Sequence, residues 1–161
     1  MERFPLSFRY GKHIVLADLV RLVRDRWDVL AVIALGGSAG SVARWALGQA
    51  LRPSPNGFPW ATVAENLSGA FALGLLMVWL TARWPSARYL QPLLAVGLLG
   101  GYTTFSTYML DTRGLLAAGR PGLAAGYLFG TVVLGLVGVF LGVLAGRATL
   151  SLAQRPDTRG R

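Results

Sequence analysis

The chain has 161 residues, a net charge of +9, no cysteine and a single histidine, His13. These counts exclude disulfides, thiolate chemistry and a cluster of histidine metal ligands. Hydrophobic residues make up 53% of the chain and the mean hydropathy is +0.49, values that favour a one-domain membrane protein. No segment resembles a nucleotide-binding loop or a catalytic triad, so we do not expect an enzyme or an energised pump.

Residues 1–28 form a basic segment that we expect to be a cytoplasmic N-terminal extension. It is charged throughout and lacks the apolar core of a signal peptide. One interpretation is a loose tail or a misplaced start of translation. The other is a basic amphipathic helix on the inner leaflet, because five apolar residues share a helical face: Leu16, Leu19, Val20, Val23 and Trp27.

Four apolar blocks follow, each long enough to cross a bilayer core, which needs roughly 20 helical residues. A helix of a soluble bundle would carry a polar stripe, and these blocks carry almost none. We therefore predict an all-α membrane protein with four transmembrane helices in one domain, residues 29–150, and a cytoplasmic tail, residues 151–161. The blocks cover 29–51, 58–82, 89–116 and 122–150.

Glycines spaced four residues apart recur within the blocks. In lipid, small residues at this spacing let helix backbones approach closely. Four short spans offer few such partners within one subunit. We therefore expect an oligomer, and specifically a dimer. The pairs are Gly36 with Gly40, Gly126 with Gly130, Gly138 with Gly142, and Gly142 with Gly146.

Basic residues other than Arg44 lie mostly on one face. Four spans place both termini and the 83–88 loop together, and that face carries twelve Lys and Arg residues. The opposite face has three, at Arg52, Arg113 and Arg120. Positive residues favour the cytoplasm, so we predict cytoplasmic termini and one fixed topology. Basic residues that flank spans do not form the single patch of a nucleic-acid-binding protein, so no nucleic-acid partner is expected.

Polar side chains in the hydrocarbon region are costly, so each needs an explanation. Arg44 and Glu65 should both lie roughly 10 Å below the outer boundary, given a rise of 1.5 Å per residue. One hypothesis is that they form an ion pair, and the other is that Arg44 gives positive potential to an anion path. Asn66 either bridges helices or lines a wet path, with Thr62 one turn earlier on the same face.

The stretch "GLLGGYTTFSTYMLD", residues 97–111, predicts a broken helix. Two glycines weaken the helix, and the hydroxyls that follow offer the backbone other partners. A break at mid-membrane is tolerated only inside protein or beside a cavity. Its carbonyls would suit a monovalent cation. Aromatic ring edges would suit an anion, and Phe105 and Tyr108 share a face, although packing is the alternative role for these rings.

Four segments carry a resemblance to the CrcB/Fluc family of small bacterial fluoride channels. The match runs from 32 to 146, and "GGYTTFSTYMLD" in the third block resembles a highly specific signature of that family. The other three segments are weak alone but occur in the right order: "GGSAGSVARW", "PWATVAENLSGAFALG" and "YLFGTVVLG".

The resemblance implies antiparallel, dual-topology-type dimers with two narrow pores and a third helix broken at mid-membrane. It implies a structural sodium ion at the dimer centre, not transported, held by backbone oxygens of Gly100 and Thr103. It also implies that fluoride meets the ring edge of Phe105 and the amide of Asn66. Other residues implied along the path are Thr62, Thr104, Ser106, Tyr108 and Thr131, bordered by Tyr127, with Arg44 near a vestibule.

The implied function is a passive, fluoride-specific channel in the lipid of a bacterial plasma (inner) membrane. The inside-negative potential drives cytoplasmic fluoride out, at about 2.3 kcal/mol per 100 mV for each charge. The partner is either a second, antiparallel copy or an oppositely oriented paralogue. The chain's charge bias favours the paralogue, as does Tyr108, which stands where the family has phenylalanine.

Two other functions remain open at this stage. Glu65 stands where the family usually has an apolar residue, and it could be the membrane carboxylate of a small four-span proton-coupled transporter. A heterodimer also leaves room for a non-conducting partner subunit. The broken third span has no use in the transporter, which favours the channel.

Overall fold

The computed structural model describes residues 21, 23–51 and 57–153, and the regular structure within these residues is helical. Most of the predicted N-terminal amphipathic helix and residues 154–161 of the predicted C-terminal tail lie outside the described residues, whereas residues 151–153 of the predicted tail belong to the last helix. The elements are α1 (Trp27–Ala50), α2 (Trp60–Arg83), the π-helix π1 (Pro92–Leu99), α3 (Gly100–Tyr102), α4 (Ser106–Ala117) and α5 (Pro121–Ala153).

Four helical stretches within the described residues are long and apolar enough to cross a membrane. They confirm the number and order of the predicted blocks, and the third combines π1, α3 and α4 across Pro92–Ala117. The last, α5, has 33 residues and is about 50 Å long at 1.5 Å per residue, so it exceeds a hydrocarbon core of about 30 Å.

The third span changes its packing partner along its length. Its first part, π1 and α3, packs mainly on α1, whereas its second part, α4, packs on α5. The two long helices α2 and α5 pack along each other. Helical geometry is interrupted between α3 and α4, where Thr103 has extended backbone angles of φ −80° and ψ 160°. The interruption lets one span follow two different neighbours.

Glycines permit the closest helix approaches. A Cβ atom on Gly40 would clash with the backbone carbonyl of Leu98, and one on Gly142 would clash with that of Phe71. The predicted close packing at Gly36–Gly40 and Gly142–Gly146 therefore occurs within the subunit. At Gly126 and Gly130 a Cβ would meet nothing within 4 Å.

A small core of buried side chains joins the second half of the third span to α5. It consists of Tyr108, Leu115, Ala124 and Tyr127. Most other large apolar side chains are exposed, as lipid-facing or partner-facing helices require. Since water would penalise so much exposed apolar surface, these helices belong in a membrane.

The loop before π1 is tied to the start of α1. Arg88 Nη2 lies 2.9 Å from Asp28 Oδ2, and the Tyr89 hydroxyl donates to the same oxygen at 2.6 Å. This hydrogen bond raises the pKa of Tyr89, because the carboxylate stabilises the protonated phenol. These contacts join the loop before π1 to α1 at the end of the molecule that is predicted to be cytoplasmic.

Candidate functional site

The interruption of the third span is held by side chains from other helices. Asn66, on α2, donates from Nδ2 to the carbonyl of Thr104 at 3.0 Å and accepts from the Thr104 N–H at 2.8 Å. In a continuous helix that N–H would bond to the carbonyl of Gly100, four residues earlier. The Asn66 amide therefore replaces a helical hydrogen bond, and it bridges two helices as one hypothesis stated.

Arg44, on α1, contacts the same interruption. Its Nη1 donates to the carbonyl of Thr103 at 3.1 Å. The predicted close ion pair with Glu65 is not formed, because within the described part of the chain the ion pair closer than 4 Å joins Arg88 and Asp28. Of the two hypotheses for Arg44, the close ion pair is therefore not the one that the structure shows, because Arg44 bonds to a backbone carbonyl instead.

The hydroxyls of the interruption bond mostly to neighbouring backbone and to each other. Thr103 Oγ1 donates to the carbonyl of Leu99 at 2.9 Å. Thr104 Oγ1 accepts from the N–H of Thr107 at 3.2 Å and donates to that residue's hydroxyl at 3.0 Å. Thr104 thus provides the start of α4 with the side-chain acceptor that a helix N-terminus needs. Ser106 is exposed and lies 3.4 Å from Thr104 Oγ1.

The two aromatic residues of the signature have different surroundings. The Phe105 ring is 74% exposed, whereas Tyr108 is buried in the core. Their ring centroids are 6.1 Å apart. The hydroxyl of Tyr108 donates to the carbonyl of Leu128 on α5, so the extra polar group relative to phenylalanine bonds within the subunit. Phe105 is the ring that is open to a ligand or to another chain.

A second polar cluster centres on Asp111. Its Oδ2 accepts from the hydroxyl of Thr62 at 2.6 Å and from that of Tyr127 at 3.2 Å. The structure thus joins Thr62, a predicted site residue, to Tyr127, predicted as a border. Asp111 was not predicted as a site residue, although a carboxylate inside an apolar span is a signal in itself. Thr131 is buried one helical turn after Tyr127 on α5.

An open cleft of about 680 Å³ is lined by α1, α2 and α4 and is bordered by Arg44, which contacts the interruption, and by Thr62 and Asp111 of the second cluster. Its lining includes three charged side chains, two of them acidic, and the hydroxyls of Thr62 and Thr107. Glu65 is buried, and both Arg44 and Asp111 act on it electrostatically. The cleft combines hydroxyl donors with a cation, which suits an anion, and its carboxylates reduce that positive potential. The charged groups are Arg44, Glu65 and Asp111.

The fold and the site define a small multi-pass membrane protein whose third span is interrupted and held by polar side chains. The chain belongs to the family described as CrcB-like protein, Camphor Resistance (CrcB), which matches residues 31–143.

Curated relatives of the chain are named fluoride-specific ion channels. FluC 3 of Streptomyces avermitilis is 49% identical over 84% of this chain and 67% of its own length. FluC 2 of Nocardia farcinica is 46% identical over 79% of this chain and 91% of its own. FluC 2 of Streptomyces avermitilis is 42% identical over 68% of this chain and 72% of its own.

Proposed function

We propose that this chain forms a fluoride-specific ion channel. The names of its relatives support the ligand, and their identity of up to 49% covers most of the chain. The observation that carries the proposal is the interruption at 103–105, where Asn66 replaces the helical partner of Thr104 and the Phe105 ring is exposed. The midpoint of the third span, Pro92–Ala117, falls at this interruption, which supports a break at mid-membrane.

The proposed path offers fluoride the groups that can replace its water. Fluoride is small and strongly hydrated, so a pore needs donors along its length. Asn66 uses one Nδ2 hydrogen for Thr104 and retains a second. The exposed edge of Phe105 carries partial positive charge. The proposed path also includes the hydroxyls of Thr62, Thr104, Ser106 and Thr131, with Arg44 at a vestibule. The O–H groups of Thr62 and Thr104 donate to Asp111 and Thr107, so each would have to rotate to donate to fluoride.

The proposal includes a structural sodium ion near the interruption, held by carbonyl oxygens of Gly100 and Thr103. The local groups fit such an ion. The Thr104 N–H bonds to Asn66, so the Gly100 carbonyl lacks its helical donor, and the Cβ position of Gly100 has nothing within 4 Å. The Thr103 carbonyl accepts from Arg44 and retains a second lone pair. When bound, the ion would neutralise partial negative charge where carbonyls converge.

An antiparallel dimer would cover the exposed apolar surface beside the interruption. Phe105 and Leu110 project from the third span with 74% and 63% of their surface exposed. The partner is a second copy or an oppositely oriented paralogue, and in the latter case one pore could be non-conducting. The occurrence of FluC 2 and FluC 3 in one organism supports the paralogue. The charge bias supports cytoplasmic termini, and the membrane potential then drives fluoride export.

Fluoride efflux from liposomes tests the function. The purified chain is reconstituted into vesicles alone and, if its genome encodes an oppositely biased paralogue, co-expressed with that paralogue, and efflux is followed with a fluoride electrode and a potassium ionophore. We expect fluoride efflux without chloride efflux from at least one preparation, and efflux from the lone chain would establish a homodimer. Absence of fluoride efflux from both preparations would overturn the proposal, and proton-driven uptake of an organic cation instead would favour the transporter.

A further inference from the structure

One peptide group in the interruption is held at both of its ends. The group consists of the carbonyl of Thr103 and the N–H of Thr104. Arg44 Nη1, from α1, donates to its oxygen at 3.1 Å, and Asn66 Oδ1, from α2, accepts from its nitrogen at 2.8 Å. Asn66 also donates to the next carbonyl, that of Thr104, at 3.0 Å. Two different helices thus fix three consecutive polar groups of the backbone.

These contacts stand where a continuous helix would have its own hydrogen bonds. The extended conformation of Thr103 turns the peptide group away from the helical direction, so its N–H no longer bonds to Gly100. A buried backbone group that loses its partner is costly. Without Arg44 and Asn66, the peptide group would be free to rotate or to return to the helical arrangement. Rotation would redirect the Thr103 carbonyl and the Phe105 side chain that follows it.

We propose that Arg44 and Asn66 are positioning residues that lock the orientation of the Thr103–Thr104 peptide group and thereby the geometry of the ion path. The consequence for transport rests on the proposed channel function, whereas the locking is a property of the folded chain. The lock does not exclude a direct contact between fluoride and Asn66, because the second Nδ2 hydrogen is not used by Thr104. It gives Asn66 a role that a direct contact alone would not require.

Hydrogen exchange at the Thr104 N–H tests the lock. The full chain in lipid nanodiscs is compared with three variants by mass spectrometry with fragmentation that resolves this amide. Asn66→Leu, which removes the acceptor, should speed exchange about tenfold. Asn66→Asp, which keeps an acceptor oxygen of nearly the same size, should remain within about twofold of the unsubstituted chain. Arg44→Met, which releases the other end of the peptide group, should also speed exchange about tenfold.

Ser68→Ala is the matched control on α2. Its hydroxyl bonds to the Tyr102 hydroxyl at 2.9 Å, beside the interruption but not to its backbone, so exchange at Thr104 should not change. In the double variant, Arg44→Met with Asn66→Leu, exchange at the Thr104 N–H should speed up by less than the product of the two single increases, because both side chains hold one peptide group. If a substitution destabilised the whole fold, amide exchange would speed up in α2 and α5 as much as at Thr104.

Unchanged exchange at Thr104 in both Asn66→Leu and Arg44→Met would overturn the proposal. If Asn66→Leu does not fold, Arg44→Met and Asn66→Asp still decide it, because a lock requires fast exchange in the first and slow exchange in the second. Fluoride efflux is recorded on the same preparations. A failure of the channel function would appear as absent efflux from the unsubstituted chain, with the exchange pattern intact.

Discussion

At the scale of single residues, the interruption has side chains with different tasks. Asn66 and Arg44 bond to its backbone, Thr104 caps the helix that follows, and Phe105 remains exposed. Asp111 forms a separate cluster with Thr62 and Tyr127, and two of these residues, Thr62 and Asp111, line the open cleft. The polar groups at the interruption are therefore largely bonded within the subunit. The Phe105 ring, in contrast, is exposed and available to a ligand or to another chain.

Phe105→Ile should reduce fluoride efflux from liposomes at least about tenfold, because it replaces a ring edge carrying partial positive charge by an aliphatic surface. Phe129→Ile is the matched control, since Phe129 on α5 is 68% exposed and far along the chain from the interruption. Efflux of Phe105→Ile equal to that of the control would contradict a role of the ring in the path.

At the scale of helices, the third span stands out because its halves pack on different neighbours. The hydrogen-bonded interruption makes this possible, since a straight span would have to follow one partner. Helices α2 and α5 instead form a continuous pair, in which Gly142 lets the backbones approach and Gly138 and Gly146 lie on the same side. The open cleft is lined by α1, by the start of α2 and by α4.

Gly142→Ala should lower the free energy of unfolding by about 1–3 kcal/mol, because the new Cβ clashes with the carbonyl of Phe71 and forces α2 and α5 apart. Unfolding of the detergent-solubilised protein measures this change. Gly135→Ala, on the same helix with nothing within 4 Å of the added Cβ, should be neutral or stabilising by up to about 1 kcal/mol. Equal destabilisation by both substitutions would contradict the conclusion that Gly142 is needed for the close approach of α2 and α5.

At the scale of the whole molecule, charge and apolar surface determine how the chain sits in a membrane. The predicted cytoplasmic face carries twelve basic residues against three on the other. The loop on that face is anchored by the contacts of Arg88 and Tyr89 with Asp28. The opposite end contains the short turn between α4 and α5, where Gly119 has a φ of 70°. One chain with this bias should insert in one orientation.

Cysteine labelling checks that orientation, since the chain has no cysteine of its own. Ala118 and Ser86 are exposed and lie in turns at opposite ends of the third span. In intact cells, Ala118→Cys should react with a membrane-impermeant thiol reagent, and Ser86→Cys should react only after lysis. Equal labelling of both in intact cells would show dual topology and remove the argument for an oppositely oriented paralogue.

The sequence by itself determined the features that depend on local composition. The length of the apolar blocks predicted four membrane helices, because a bilayer sets the length of a span. Glycines and hydroxyls at 100–107 predicted a weakened helix, and the backbone departs from the helix at Thr103. The signature around Phe105 indicated the family, which the match over residues 31–143 confirms.

Only the tertiary structure decided which polar groups meet. Arg44 was as compatible with Glu65 as with any other acceptor until α1 was placed beside the third span, where the Thr103 carbonyl is the nearer partner. Asp111 lies 49 residues from Thr62 in sequence, yet their side chains are hydrogen-bonded. Such contacts depend on helix rotation and register, which a nearly uniform apolar sequence leaves open because it has no polar stripe to fix them.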